Sequence, residues 1–191
     1  KQYQGEQRNV VTQNIDLMPT FLSMHGHSIP KEVTGKSLIE FLDKEASQKY
    51  SALYGYWGGG INITDGDYTY FHYPDNFSQQ NPNRYQYTLM PTHMRQFFSL
   101  EELQTASLHE PFEFTKEVPV LKINRIEKKT DGGYKGFADT KSALYNLNKD
   151  PGQLNSIQDR DLILKYKNLM IDYIKQYDPP KELLKNYFDI K

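Results

Sequence analysis

The sequence predicts an α+β domain, a small antiparallel β-sheet packed against helices. Three observations carry this. Residues 49–90 alternate with period two, as in Tyr50, Ala52, Tyr54 and Tyr56. Asp65-Gly66 sits between two β-rich runs, a strong short hairpin signal. Near the end of the chain, Leu162, Tyr166, Leu169, Met170, Tyr173 and Tyr177 recur at spacings of three and four, which gives a helix one buried face.

Each element follows in chain order. Residues 8–11 are apt for an edge strand. A helix is expected to start around residues 14–16 with Asp16 as N-cap, because Pro19 is tolerated only in a first turn. Leu17, Phe21, Leu22 and Met24 form its apolar face, and Gly26 is placed to end it. A short second helix spans residues 37–42. In the next strands Tyr68, Tyr70 and His72 share one face, and Thr69, Phe71 and Tyr73 the other. Residues 84–90 read as a further strand, and a simple meander joins neighbours in sequence. Ser99 with Glu102 three residues on matches a capping box. Strands follow at 118–123 and 143–147, then a Pro151-Gly152 turn, then a helix over 159–177 that Pro179-Pro180 stops.

Composition narrows the function classes. The 191 residues carry Lys+Arg 23 against Asp+Glu 24, a net charge of −1. That balance steers the chain toward neither nucleic acid nor an anionic membrane. There is no Cys, which removes disulfides, thiolate metal sites and Cys nucleophiles. No apolar run approaches the roughly 20 residues that span a bilayer. The first residues lack both an apolar signal region and Met, so the chain is expected to begin inside a longer protein, cytoplasmic or exported.

Three segments fall in a telling order: D-L-M-P-T-F-L…G…I-P…G-K-S-L over residues 16–38, I-T-D-G-D-Y-T-Y-F-H-Y-P over 63–74, and A-L-Y-N-L-N-K-D-P-G-Q-L-N-S-I over 143–157. In order and spacing they resemble the C-terminal part of the type I sulfatases of the alkaline phosphatase superfamily, including a bacterial subgroup with an extended segment matching T-L-M-P-T-H-M-R-Q-F-F. The resemblance covers roughly residues 8–162. Asn146 and Gln153 stand where that family usually has Asp and Glu, in what the resemblance implies is a structural turn.

The family's formylglycine arises in a C/S-x-P-x-R motif, and its divalent cation, usually calcium, is held by an Asp-Asp pair and a D-H/N-G motif. None of these occurs here. In the family they lie upstream of the D-L-x-P-T helix. The resemblance therefore implies a C-terminal portion with no catalytic residue and no metal ligand of its own. Its partners would be an upstream sulfatase catalytic domain and a sulfated small molecule or glycan. Residues 1–45 would be the last helix and edge of the large α/β domain, and 46–191 the antiparallel C-terminal subdomain. Separated from that domain, the first helix should expose an apolar patch. A phosphonate or phosphodiester hydrolase of the same superfamily is an alternative, and so is a free-standing carbohydrate- or partner-binding module.

Candidate substrate contacts are Trp57, beside Gly58-Gly59-Gly60, and His93 with Arg95 on a loop. His25 and His27 read as solvated rather than as a metal pair, because no third ligand is in view. His72 reads as a satisfied sheet residue. Asp159, Arg160 and Asp161 read as helix-start charges, and residues 128–129 as a solvated loop. Two glycosylation sequons, at Asn62 and Asn76, match by a pattern common by chance.

Overall fold

The computed structural model describes residues 3–42, 50–55, 59–74, 85–90, 92–93, 96–124 and 141–190. These carry strands β1 (Ala52–Gly55), β2 (Ile61–Thr64), β3 (Tyr68–His72), β4 (Tyr85–Thr88), β5 (Ser107–His109), β6 (Val120–Asn124) and β7 (Ala143–Asn146). The helices are α1 (Leu17–Met24), α2 (Leu100–Gln104), α3 (Arg160–Lys175) and α4 (Lys181–Phe188). The fold class is α+β with small antiparallel sheets, as the alternation and the helical spacing predict. Two compact units divide the chain. One comprises residues 1–56, 61–72 and 143–170, the other 57–60, 73–142 and 171–191.

The first unit opens on a chain reversal held by one carboxylate. Asp16 is 7% exposed. Its Oδ2 accepts the Gln13 N–H at 2.7 Å, and its Oδ1 accepts the Lys36 N–H at 2.9 Å. Asp16 is the N-cap of α1 by position, but its side chain makes no cap bond to that helix. Thr20 donates to the Asp16 carbonyl and accepts from the Leu38 N–H, at 2.6 and 2.8 Å. At Gly35 a Cβ would lie 2.1 Å from the Ile15 carbonyl oxygen, so only glycine lets the two backbones approach. The order D-x-x-x-T…G-K-S-L is thus a set of side-chain to main-chain hydrogen bonds joining the start of α1 to the 3-10 turn at Leu38–Phe41.

Gly26 ends α1 as expected, at φ +71, with the His27 N–H returning to the Leu22 carbonyl at 2.9 Å. Residues 8–11 form no strand. Arg8 instead donates its guanidinium to the carbonyls of Phe41 and Leu42. Of the predicted apolar face of α1, Leu17, Phe21 and Met24 face outward together with Met18, while Leu22 is half-buried. Leu17 is 47% exposed, Met18 54%, Phe21 56% and Met24 65%.

Sheet order in this unit is β1-β2-β3-β7, all antiparallel. The Asp65-Gly66 hairpin forms as predicted, with Gly66 at φ +89 and Asp65 Oδ1 accepting the N–H groups of Asp67 and Tyr68. One sheet face carries Leu53, Ile63, Tyr70, His72 and Leu144, and Ile63 and Leu144 are fully buried. Tyr166 of α3 packs on Tyr68 at 5.5 Å and donates its hydroxyl to Asp65 Oδ2 at 2.7 Å. Burial foremost, and then that bond, push the Tyr166 phenol far above its ordinary range. His72 meets the Tyr70 hydroxyl at 3.2 Å. Asp159 caps α3, accepting from the N–H groups of Asp161 and Leu162. The turn after β7 is structural too: Asn146 Oδ1 accepts the Lys149 N–H, and Asp150 accepts those of Leu154 and Asn155.

The second unit holds a sheet of order β4-β6-β5. The meander expected through residue 90 therefore stops at β3. β4 pairs with β6, more than thirty residues on, because nothing local dictates a partner once a long loop intervenes. Among the strands and α-helices of the described residues, two go beyond the sequence expectations. β5 is three residues long, and α4 starts directly after Pro180, which serves as its N-cap. The Pro-Pro pair thus ends one helix and opens another. In α3 the buried position of the last turn is Ile174, and Tyr177 is exposed. The Tyr187 hydroxyl pins α4 by donating to the Gly59 carbonyl at 2.9 Å.

Beneath this sheet Glu182 accepts from the Tyr87 hydroxyl at 2.7 Å and pairs with Lys122. The ammonium lies over the Tyr85 ring at 4.0 Å. Burial, helped by repulsion from Tyr85, pushes the Tyr87 phenol up to about 12.

Two outcomes follow. Asp16→Ala leaves two part-buried N–H groups without their acceptor and should lower stability by about 2 kcal/mol in urea unfolding; a change near zero would show that the reversal stands without it. For Tyr87 the folded value lies above the ordinary 10.0. Its contribution is therefore complete below pH 10 and is lost as pH rises toward about 12. The stability gap between wild type and Tyr87→Phe should narrow across that window, and a constant gap would contradict the linkage.

Candidate functional site

The site is built on the loop between β4 and α2. Thr88 ends β4 in a side-chain turn, with its hydroxyl both accepting the Met90 N–H and donating to the Met90 carbonyl. Thr92 then bridges to Phe97 in antiparallel fashion, so the chain doubles back on itself and holds His93 beside the bridge. Phe98, 5% exposed, anchors the loop. The His93 ring lies 4.3 Å from it.

The capping box predicted at Ser99 is present, and Glu102 serves it with one oxygen only. Oε2 accepts the Ser99 N–H at 2.8 Å, while the Glu102 N–H donates to Ser99 Oγ at 3.2 Å. The other oxygen, Oε1, lies 3.0 Å from His93 Nε2. Thr105 donates to the Glu102 carbonyl and accepts the Asn124 N–H, which ties α2 to β6. Burial by itself would raise the Glu102 carboxyl. The hydrogen bonds from the Ser99 backbone, from His93 and from the Ser99 hydroxyl outweigh it, so the group sits below the ordinary carboxylate range.

His93 is half-buried, with its side chain 28% exposed. Among the described residues its second nitrogen, Nδ1, has no hydrogen-bond partner. Leu89, Met90, Phe97 and Leu100 from the same loop and helix start are exposed. A half-exposed imidazole backed by a buried carboxylate, in an apolar setting, can give a ligand one directed hydrogen bond. Sequence reasoning singled out His93 and read Glu102 as a cap alone. Nothing in a spacing of nine residues signals the pair. Trp57 and Arg95 lie outside the described residues. His25 and His27 are exposed. Asn62, the first sequon asparagine, is a buried strand residue whose Oδ1 has no hydrogen-bond partner among the described residues, and Asn76 lies outside the described residues, as do residues 128–129.

Among the described residues no three His, Asp or Glu side chains gather as a metal site. They do not fit the divalent cation that the sulfatase resemblance implies. Among them, too, no helix is long and apolar enough to cross a membrane.

No protein-family model matches the chain, and no curated protein sequence does either. Among solved structures the chain is similar to BT4656, determined in complex with its substrate D-glucosamine-2-N,6-O-disulfate. Identity is 15% and the TM-score 0.43. The match covers 97% of this chain and 26% of that one, so the chain spans about a quarter of that protein's length.

Proposed function

We propose that this chain is the C-terminal portion of a sulfatase-family hydrolase, which completes that enzyme's fold and shapes one side of its substrate cleft. The observation that carries the reading is α1. Its motif resembles the D-L-x-P-T helix of the type I sulfatases, and its stripe of Leu17, Phe21 and Met24, with Met18 beside it, is bare. A helix buttressed by part-buried hydrogen bonds that Asp16 and Thr20 accept from backbone N–H groups, while showing an apolar stripe to solvent, is built to be covered. Its occupant in this reading is the large α/β domain upstream.

The reaction of the whole enzyme is then hydrolysis of a sulfate ester. The formylglycine and the divalent cation, calcium by the resemblance, belong to the upstream region and would supply the nucleophile and the charge neutralisation there. The part played by this chain is contact with the substrate, through His93 and, outside the described residues, Trp57 and Arg95. The chain by itself is inert.

A free-standing carbohydrate-binding module has one observation in its favour. Tyr54, Phe71 and Tyr145 line up on the sheet face opposite Tyr70. However, each ring meets the next edge-on, at 6.1 and 5.9 Å and 82°. Rings packed this way satisfy one another and offer no flat platform for a sugar.

The coding DNA upstream of Lys1 tests the reading. An in-frame region bearing an Asp-Asp pair, a C/S-x-P-x-R motif and a D-H/N-G motif is expected. A stop codon and start site directly before Lys1 would overturn it. The isolated chain should not hydrolyse nitrophenyl sulfate, and it should self-associate in sedimentation. Met18→Lys with Phe21→Ser should return it to a monomer, and self-association unaffected by that pair would place the sticky surface elsewhere.

A further inference from the structure

We propose that Glu102 is a positioning residue for substrate binding. By accepting from Nε2–H it fixes the tautomer and orientation of His93, so that Nδ1 is left as the acceptor for a hydroxyl of the sugar that carries the sulfate ester. This rests on the reading of His93 as a substrate contact and deepens it by naming the group that His93 meets.

Three observations support the assignment. First, the Glu102 carboxylate is divided between two tasks. Oε2 serves the Ser99 cap at 2.8 Å, and Oε1 is free of the cap and lies 3.0 Å from Nε2. A cap needs one oxygen, so the second is available to orient the ring. Second, Glu102 is itself held rigidly. It is 9% exposed, its own N–H is bonded to Ser99 Oγ, and its carbonyl accepts from Thr105, which is tied to β6. A ring held by such a group and resting on Phe98 at 4.3 Å has little rotational freedom left. Third, the two imidazole nitrogens are unlike. Which one carries the proton is set by the bond the other makes. A carboxylate accepts only, so Nε2 must donate and the neutral ring keeps its lone pair on Nδ1. Nδ1 has no partner among the described residues. In other sites, a carboxylate behind a ligand-binding His plays the same orienting part.

The test is a double-substitution cycle in the full-length hydrolase, read with two substrates. Glucosamine 6-sulfate offers sugar hydroxyls and nitrophenyl sulfate offers none. His93→Ala should raise KM for the sugar sulfate about tenfold, the worth of one directed hydrogen bond, and leave KM for nitrophenyl sulfate unchanged. Glu102→Ala should do the same, and should add nothing in the His93→Ala background. Ser99→Ala removes the hydroxyl that accepts the Glu102 N–H but keeps the Ser99 N–H on Oε2 and leaves Oε1 untouched, and should raise KM for the sugar sulfate less than Glu102→Ala does. If Glu102→Ala fails to fold, Glu102→Gln takes its place in the cycle. Gln keeps one acceptor oxygen, so the expected rise is smaller but still absent when His93 is gone. Nitrogen NMR of the wild-type chain should show His93 protonated at Nε2.

If His93→Ala leaves KM for the sugar sulfate unchanged, the reading of His93 as a substrate contact fails. If His93→Ala raises it while Glu102→Ala does not, or while the two effects add, His93 keeps its role and the assignment of Glu102 is overturned. A Ser99→Ala effect equal to that of Glu102→Ala would reduce Glu102 to a helix cap and overturn the assignment as well.

Discussion

One buried carboxylate organises the start of this chain. Asp16 accepts a main-chain N–H from each side of a twenty-residue reversal, from Gln13 and from Lys36. An isolated buried charge is costly, and hydrogen bonds to it recover that cost only if they are well aimed. Thr20, Gly35 and Ser37 stand where they do because the reversal needs a second hydroxyl bond, a bare Cα and an extended residue before the next turn. With the reversal held in this way, α1 does not rely on burying its own apolar side chains. That is how a short helix can remain in place while its stripe faces water.

How much of this was legible in the sequence depends on how local each determinant is. The hairpin at Asp65-Gly66 and the capping box at Ser99 are settled by residues within three or four positions of one another, and both appear. The apolar stripe of α1 was equally readable, because periodicity reports which residues share a face. It does not report whether this chain covers that face. The division into two sheets was not readable, because β4 finds β6 across a loop, a helix and another strand. The helix after Pro180 is hard to see in the sequence because a proline pair signals a stop, although the same ring that cannot continue one helix is well suited to begin the next.

The site shows the same limit at the scale of one side chain. Sequence spacing assigns Glu102 a single role, since a capping box explains it fully. Folding the loop brings His93 to the oxygen that the cap leaves over. A carboxylate has two oxygens and about four lone pairs, so one explained contact does not exhaust it. The turn after β7 is the converse case. There Asn146 and Asp150 hold backbone N–H groups, so polar residues in that segment serve the architecture of the turn.

The topology of the first unit also constrains the order in which the protein can be completed during synthesis. Strand β3 has β2 on one side and β7 on the other, and β7 pairs through Tyr68↔Asn146 and Phe71↔Ala143. Until residue 146 leaves the ribosome, the edge of β3 is open, and the buried face of Ile63 and Tyr70 has no Leu144 beside it. Tyr166 arrives later still to take the acceptor on Asp65. Such distant pairings come with the loop-closure entropy of everything between them. The N-terminal strands must therefore wait, half-finished and with a sticky edge, while the intervening residues are made. A chain wired in this way carries an unpaired β3 edge, the kind of edge on which other strands can pair, until the β7 residues are available to cover it.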